Sequence, residues 1–400
     1  MKLVSSPNLS ADLPSGIFDS FFIGGFECST HRRPDGKRLD VVAATGHDRS
    51  ALDDYLALKR VGLRTFRDGL RWHLIERAPG CYDWSSVLAS LQAARRAQVQ
   101  VIWDLMHYGW PDGLDIFSAA FVESFGRFAA AAARVVQQEC GDGAFYCPVN
   151  EMSYLAWAGG DRGRMNPFCF DQGIALKQQL VRASIAAIEA IRSVDASARI
   201  VHAEPLIHVA SETDDEVERA EALHDGQYQA LDMLIGRTAP ELGGRPDYLD
   251  IVGANYYPDN QWLANGNTIP LGHHRYRPLR GLLQECHARY RRPMFLSETG
   301  AEGSARAAWL YYVVREVLAA HRAGVPIEGL CLYPVLDYPG WLNDRTCEVG
   351  LLGASDSSGR RTVDAALLEE VIASAAYLRR HFYTGDAQPS SELLMHGNAR

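Results

Sequence analysis

The sequence predicts a single-domain α/β fold, a closed (β/α)8 TIM barrel, and three observations carry that prediction. Apolar, strand-like runs alternate with stretches of helical period along the chain, as in a parallel sheet with crossover helices. The alternation gives eight strands, and helical stretches lie between them, which favours a barrel over an open doubly wound sheet. No internal repeat, low-complexity block or linker marks a second domain. The domain is placed at residues 1–383, with a short peripheral segment at 1–20. The remaining tail, 384–400, has the polar composition of a mobile chain end.

The first strand lies in "FFIGGFECS" (21–29) and leads to the helical stretch "SALDDYLALKRVG" (50–62), where Asp48 or Ser50 is expected to cap the start and Gly62 the end. The second, "LRTFRDGL" (63–70), is followed by "VLASLQAARRAQ" (87–98). The third and fourth are "VQVIWDLM" (99–106) and "AFYCPVNE" (144–151), with the long helix "IALKQQLVRASIAAIEAIRS" (174–193) behind the fourth. The fifth and sixth are "ARIVHAEP" (198–205) and "LDIVGANYY" (249–257). The seventh, "RPMFLSET" (292–299), precedes "ARAAWLYYVVREVLAAHRAG" (305–324), which ends on Gly324. The eighth, "IEGLCLYPV" (327–335), precedes "AALLEEVIASAAYLRRHF" (365–382).

Four hundred residues with 47% hydrophobic content are enough for a large core and exclude wholesale disorder. The formal charge of −9 arises from acids and bases mixed along the chain, without a basic run that would bind nucleic acid or an anionic membrane. The first twenty residues lack the basic-then-apolar pattern of a secretory signal, so the expected location is cytoplasmic. Eight cysteines are scattered without a C-x-x-C pair and read as free thiols. No cofactor or metal is expected.

In a barrel of this kind the active site lies at the carboxyl ends of the strands. Those ends carry Glu27, Arg67, Asp68, His107, Asn150, Glu151, Glu204, Asn255, Tyr256, Glu298 and Asp337, a dense set of polar groups beside apolar strands. Glu151 and Glu298 close the fourth and seventh strands, on opposite sides of the mouth. Glycosidic bond cleavage uses such a pair, one carboxyl as proton donor and an ionised partner that attacks the sugar. Asn150 is placed to hydrogen-bond a sugar hydroxyl, and Arg67 and Tyr256 to keep Glu298 charged.

Six segments in this order resemble the family-one glycoside hydrolases, the β-glucosidase-like retaining barrels: "TFRDGLRW", "DLMHYGWP", "VNEMSY", "NYYP", "LSETG" and "GLCLYPVLDYPGW". The resemblance extends over roughly residues 21 to 345. The resemblance implies Glu151 as acid/base and Glu298 as nucleophile, surrounded by Arg67, His107, Asn150 and Tyr256. The chain departs from the family at several points. Met152 follows the acid/base and Thr299 the nucleophile; Glu27 or His31 stands near the place of a sugar-gripping glutamine; Gly340 replaces a glutamate and Tyr333 a tryptophan floor. The catalytic pair is therefore carried over more fully than the sugar pocket.

Other residues admit two readings. Arg67 is alternatively a buried ion pair with Asp68 or Glu27, and His107 a satisfied core histidine. Glu204 reads as a binding or pKa-tuning residue. His202, Glu204 and His208 share one strand face and raise a metal site, which Pro205 argues against. Trp103, Trp110, Trp157, Trp262 and Trp341 are candidates to stack on sugars, with Trp110 and Trp341 favoured by their loops. Arg162, Arg164 and Arg345 are candidates for an anionic sugar or solvated loop cations. The expected function is a retaining β-glycosidase acting on a small carbohydrate glycoside. A transglycosylase, a carbohydrate-binding relative without catalysis, and a metal-dependent barrel enzyme are the alternatives.

Overall fold

The computed structural model describes residues 13, 15–356 and 359–382. Eight parallel strands pair in chain order around a closed barrel: β1 (Phe22–Gly25), β2 (Thr65–Gly69), β3 (Gln100–Met106), β4 (Phe145–Val149), β5 (Arg199–Pro205), β6 (Ile251–Asn255), β7 (Met294–Thr299) and β8 (Ile327–Leu332). Closure is made by β8, whose Leu330, Cys331 and Leu332 register with Phe22, Ile23 and Gly24 of β1. All eight expected strands are barrel staves, each shorter than its apolar run.

The outer layer contains α1 (His47–Arg60), α2 (Ser85–Ala97), α3 (Ala119–Cys140), α4 (Gly173–Val194), α5 (Gln229–Leu234), α6 (Leu279–Tyr290), α7 (Arg306–Arg322) and α8 (Ala365–Phe382). The start of α1 differs from the expectation. Gly46, in the left-handed region at φ 74°, precedes the helix, so Asp48 falls in its first turn and Ser50 further inside. Asp48 instead lies 3.5 Å from Arg71. Gly62 and Gly324 follow α1 and α7 at φ 102° and 87°, a backbone conformation that favours glycine.

Alternation along the strands divides the core in two. Ile23, Ile102, Phe145, Val201, Ile251, Phe295 and Cys331 fill the lumen, while the intervening apolar residues pack outward beneath the helices. Phe18 lies within the segment expected to be peripheral, yet it is buried against Phe145 and Phe295, with ring centroids 5.4 and 5.0 Å away. It closes the amino-terminal end of the barrel. Residues 1–12 and the tail at 384–400 lie outside the described residues. Higher in the lumen, a Cβ on Gly25 would come 2.1 Å from the Tyr333 ring; the missing side chain lets that ring lie across the barrel. Among the described residues, no helix is long and apolar enough to cross a membrane.

Candidate active site

The strand ends aim their polar residues by the same alternation. On β2, Arg67 enters the lumen and is wholly buried. Its neighbour Asp68 faces outward, where it accepts from Tyr55 at 2.6 Å and lies 3.1 Å from His47 Nε2. The register between β6 and β7 shifts between Leu296 and Glu298, as at a β-bulge, which re-aims a side chain at a strand end. Ser297 and Glu298, although consecutive, both reach the lumen side: Ser297 Oγ donates to Asn255 at 2.6 Å, and Glu298 meets Arg67.

Arg67 organises the site. Its Nε and Nη2 bind the two oxygens of Asp104 at 2.9 and 2.7 Å. Its Nη1 binds Glu298 Oε1 at 2.7 Å, and Nη2 also reaches Asn150 Oδ1 at 2.6 Å. The fixed fork of the guanidinium thus sets one carboxylate, one amide and one support at defined positions. Its ion-pair partner is Asp104, from "VQVIWDLM", together with Glu298, rather than Asp68 or Glu27. Asp104 lies two residues after the inward Ile102, a spacing in the sequence that places it on the lumen face.

The two principal carboxyls sit in contrasting settings. Glu151 follows β4 in the left-handed region at φ 45°, an uncommon conformation for a residue with a side chain, and its N–H donates to Ala203 at 2.9 Å. Asn255 donates to its Oε1 at 2.8 Å and Tyr108 to its Oε2. Burial, followed by the charge of Glu298, pushes Glu151 up to about 8. Burial raises Glu298 as well, but Arg67 and His107 oppose that rise, and Tyr257 donates to its Oε2 at 2.8 Å. Glu151 is the carboxyl that keeps its proton near neutral pH; Glu298 is the one held by a cation.

His107 lies beside this pair, its Nδ1 3.0 Å from Asp104 and its Nε2 3.1 Å from Asn150 Nδ2. Burial lowers its pKa, but Asp104, Glu27 and Glu298 outweigh that and raise it overall. Glu27, buried just past β1, lies 3.8 Å from His107 Nε2 and accepts from the Ser29 N–H at 3.0 Å. Tyr333, in the tryptophan-floor position, lies parallel to His107 at 6.2 Å and has the Arg67 guanidinium 5.3 Å from its ring centre. Cys28, Asp104 and His107 bring ligating atoms within 4.8 Å of one another. There Arg67 already spans both Asp104 oxygens, and burial, with the charge of Asp104, raises the Cys28 thiol well above its ordinary range. That trio is a hydrogen-bonded support for the site.

Several expected residues lie elsewhere. Tyr256 faces outward from the end of β6, its phenol 2.7 Å from Tyr276 and accepting from Gln261 at 2.8 Å. The next residue, Tyr257, returns to the lumen and binds Glu298, so the alternation advances the role by one position. Glu204 is also on the outer face, because Val201 and Ala203 of β5 point inward. It accepts from the Ser153 N–H at 3.1 Å, its Oε1 is buried without a partner, and burial pushes it up to about 7. His202 shares that outer face and contacts the Tyr248 carbonyl at 3.1 Å, whereas His208 packs on His224, which separates the three residues of the metal reading.

Of the tryptophans, Trp341 reaches the mouth, where its ring lies 4.9 Å from His31 and 5.7 Å from Tyr108. Trp157 adjoins it through Tyr154. Trp103 and Trp110 are core, the latter packed on Phe121, and Trp262 belongs to a small outer cluster with Val209 and Ala264. Arg345 pairs with Glu302, Arg164 lies over Trp157 at 4.7 Å, and Arg162 is exposed on its loop. Asp337, past β8, accepts from the Gly350 N–H at 2.8 Å. Sequence reasoning missed Asp104, Tyr108 and Tyr257; Tyr108 stands in the quoted "DLMHYGWP", beside the histidine that drew attention there.

The architecture is that of solved β-glucosidases. A Thermotoga maritima β-glucosidase in complex with deoxynojirimycin superposes with a TM-score of 0.72 at 15% identity, covering 89% of this chain and 98% of the other. The family 1 β-glucosidase structure from Thermotoga maritima gives 0.71 at 16% identity, with 90% and 98% covered. The complex with glucoimidazole gives 0.73 at 16% identity, with 91% and 99% covered. No protein-family model and no curated protein matches the sequence. At these identities the likeness establishes the fold.

Proposed function

We infer that the protein is a retaining β-glycosidase acting on a small carbohydrate glycoside. The observation carrying this reading is the unequal treatment of two buried carboxyls at the ends of β4 and β7: Glu151 is pushed up to about 8, while Glu298 is paired with Arg67. A double displacement needs that division. Glu298 attacks the anomeric carbon as the bond to the leaving oxygen breaks, and the proton of Glu151 passes to that oxygen. Water then gives a proton to Glu151 and its oxygen to the anomeric carbon, releasing Glu298. Asn150 and His107, fixed by Arg67 and Asp104, supply hydrogen bonds to the sugar. Trp341 and Tyr154 pack on Tyr108, which donates to Glu151, and offer aromatic faces to the leaving group.

The test is intact-protein mass after incubation with activated 2-fluoro-β-glycosides, with peptide mapping of the adduct. Fluorine slows the second displacement and leaves the glycosyl-enzyme standing. The expected adduct is on Glu298. Hydrolysis of the corresponding 4-nitrophenyl glycosides with net inversion, followed by proton NMR, would overturn the reading.

A further inference from the structure

The mouth of the barrel has more acids than bases. Glu27, Asp104 and Glu298 are buried there beside Glu151, which keeps its proton, whereas the bases among them are Arg67 and His107. Arg67 is committed to Asp104 and Glu298, and His107 is bonded to Asp104 while Glu27 lies 3.8 Å away. Two further bases, which act on His31, are engaged as well: Arg33 pairs with Asp35 and Asp344, and Arg38 with Asp112. His31 brings no compensating charge, because burial, with His107 and Arg38, lowers it to about 3.

Glu27 is where the deficit is local. It is 6% exposed, and its Oε1 takes both the N–H and the hydroxyl of Ser29. Its Oε2 accepts no hydrogen bond from any described residue and is not sealed from solvent, which leaves it open to a ligand. Its charge is felt by four tyrosines. The phenols of Tyr154, Tyr257, Tyr333 and Tyr338 are raised by burial first, and the charge of Glu27 raises each further. A nearly buried carboxylate with one unbonded oxygen suits an alkylammonium group, which takes a charge-assisted hydrogen bond there.

We propose that the sugar taken at this mouth is an amino sugar whose protonated amine is received by Glu27. The proposal rests on the glycosidase reading for what happens next to that sugar, but its ligand class can be tested apart from turnover. A neutral hexose would also hydrogen-bond Glu27 through a hydroxyl, and it would leave the acid excess uncompensated.

The experiment is isothermal titration of the wild-type chain at pH 6 with hydrolysis-resistant methyl 1-thio-β-D-glucoside and its 2-, 3-, 4- and 6-amino isomers. At least one amino isomer is expected to bind about tenfold or more tighter than the neutral parent, the scale of a charge-assisted contact. N-acetylation of that amine should abolish the gain, and Glu27→Gln should level the amino and neutral ligands. Equal or weaker binding of every amino isomer, a gain that survives acetylation, or no binding of any of the sugars overturns the proposal; the wild-type comparison decides it even if the variant does not fold. Matched 4-nitrophenyl glycosides separate the two readings. Turnover of the neutral glucoside with no amino preference overturns the amino-sugar proposal and leaves the glycosidase. An amino preference in binding with no turnover supports the ligand class and counts against the glycosidase.

Discussion

The guanidinium of Arg67, Nη1, binds Glu298 Oε1 at 2.7 Å across the lumen from β2 to β7. The two residues are 231 positions apart in the chain, and both are buried. A charge left alone at such depth is costly, whereas the pair with its additional hydrogen bonds is tolerated. Arg67→Met is expected to strand Glu298 and Asp104 together, lowering stability by about 3–5 kcal/mol and abolishing hydrolysis. Urea denaturation and steady-state kinetics check both. A variant with wild-type stability would mean the pair does not hold the two strands' ends.

Protonation of Glu151 is expected to set the alkaline side of the pH profile. Burial and Glu298 raise it to about 8, and a general acid must carry its proton when the leaving group departs. Activity is therefore expected below that value and should fall as pH rises through it. Removing the neighbouring charge with Glu298→Gln should stop turnover and bring the ionisation of Glu151 below 8. Infrared difference spectroscopy of the carboxyl band reads that shift, and an unmoved band would remove Glu298 as a cause.

The adjacent tyrosines should behave as opposites. Tyr257 donates to Glu298 at 2.8 Å, so Tyr257→Phe should lower kcat about 10- to 100-fold, the effect of one hydrogen bond to a developing or ionised charge. Tyr256 bonds Tyr276 and Gln261 outside the barrel, so Tyr256→Phe should leave kcat unchanged and reduce stability by about 1 kcal/mol. Kinetics and thermal melts on the two variants check the assignment; equal losses of kcat would contradict it.

Glu204 should report on stability rather than on sugar binding. Burial raises it to about 7 in the folded protein, above the ordinary carboxyl value near 4.3. Between those two values the unfolded chain binds fewer protons than the folded one, so the contribution of Glu204 to stability falls as pH rises from about 4.3 to 7. Glu204→Gln, which does not titrate, should gain on the wild type as pH goes from 5 to 8, with KM unaltered. Denaturation midpoints at those two pH values check this, and a constant difference between the proteins would refute it.

Much of the fold could be read from the residues because barrel strands carry a local signature. Each stave is a short apolar run that needs a helix to cover its outer face, and eight such runs close a barrel. The inward set Ile23, Ile102, Phe145 and Val201 follows from the same period of two. The positions of Glu151 and Glu298 at strand ends were legible for that reason too. Which side of a strand faces the lumen was harder to read at the last residue or two, where regular alternation yields to loops. Where the alternation does hold, a single step of it exchanges Tyr256 for Tyr257 and sends Glu204 outward.

The sequence by itself determined the barrel, the order of its staves and the two carboxyls at its mouth, since these depend on patterns within a few consecutive residues. Only the tertiary structure decided the partners. Asp104 rather than Asp68 holds Arg67, Tyr108 and Asn255 hold Glu151, and Glu27 is left with a free oxygen. Those choices arise where strands far apart in the chain are brought within hydrogen-bond reach. Their strength comes from burial, which makes an unpaired charge costly and a paired one specific.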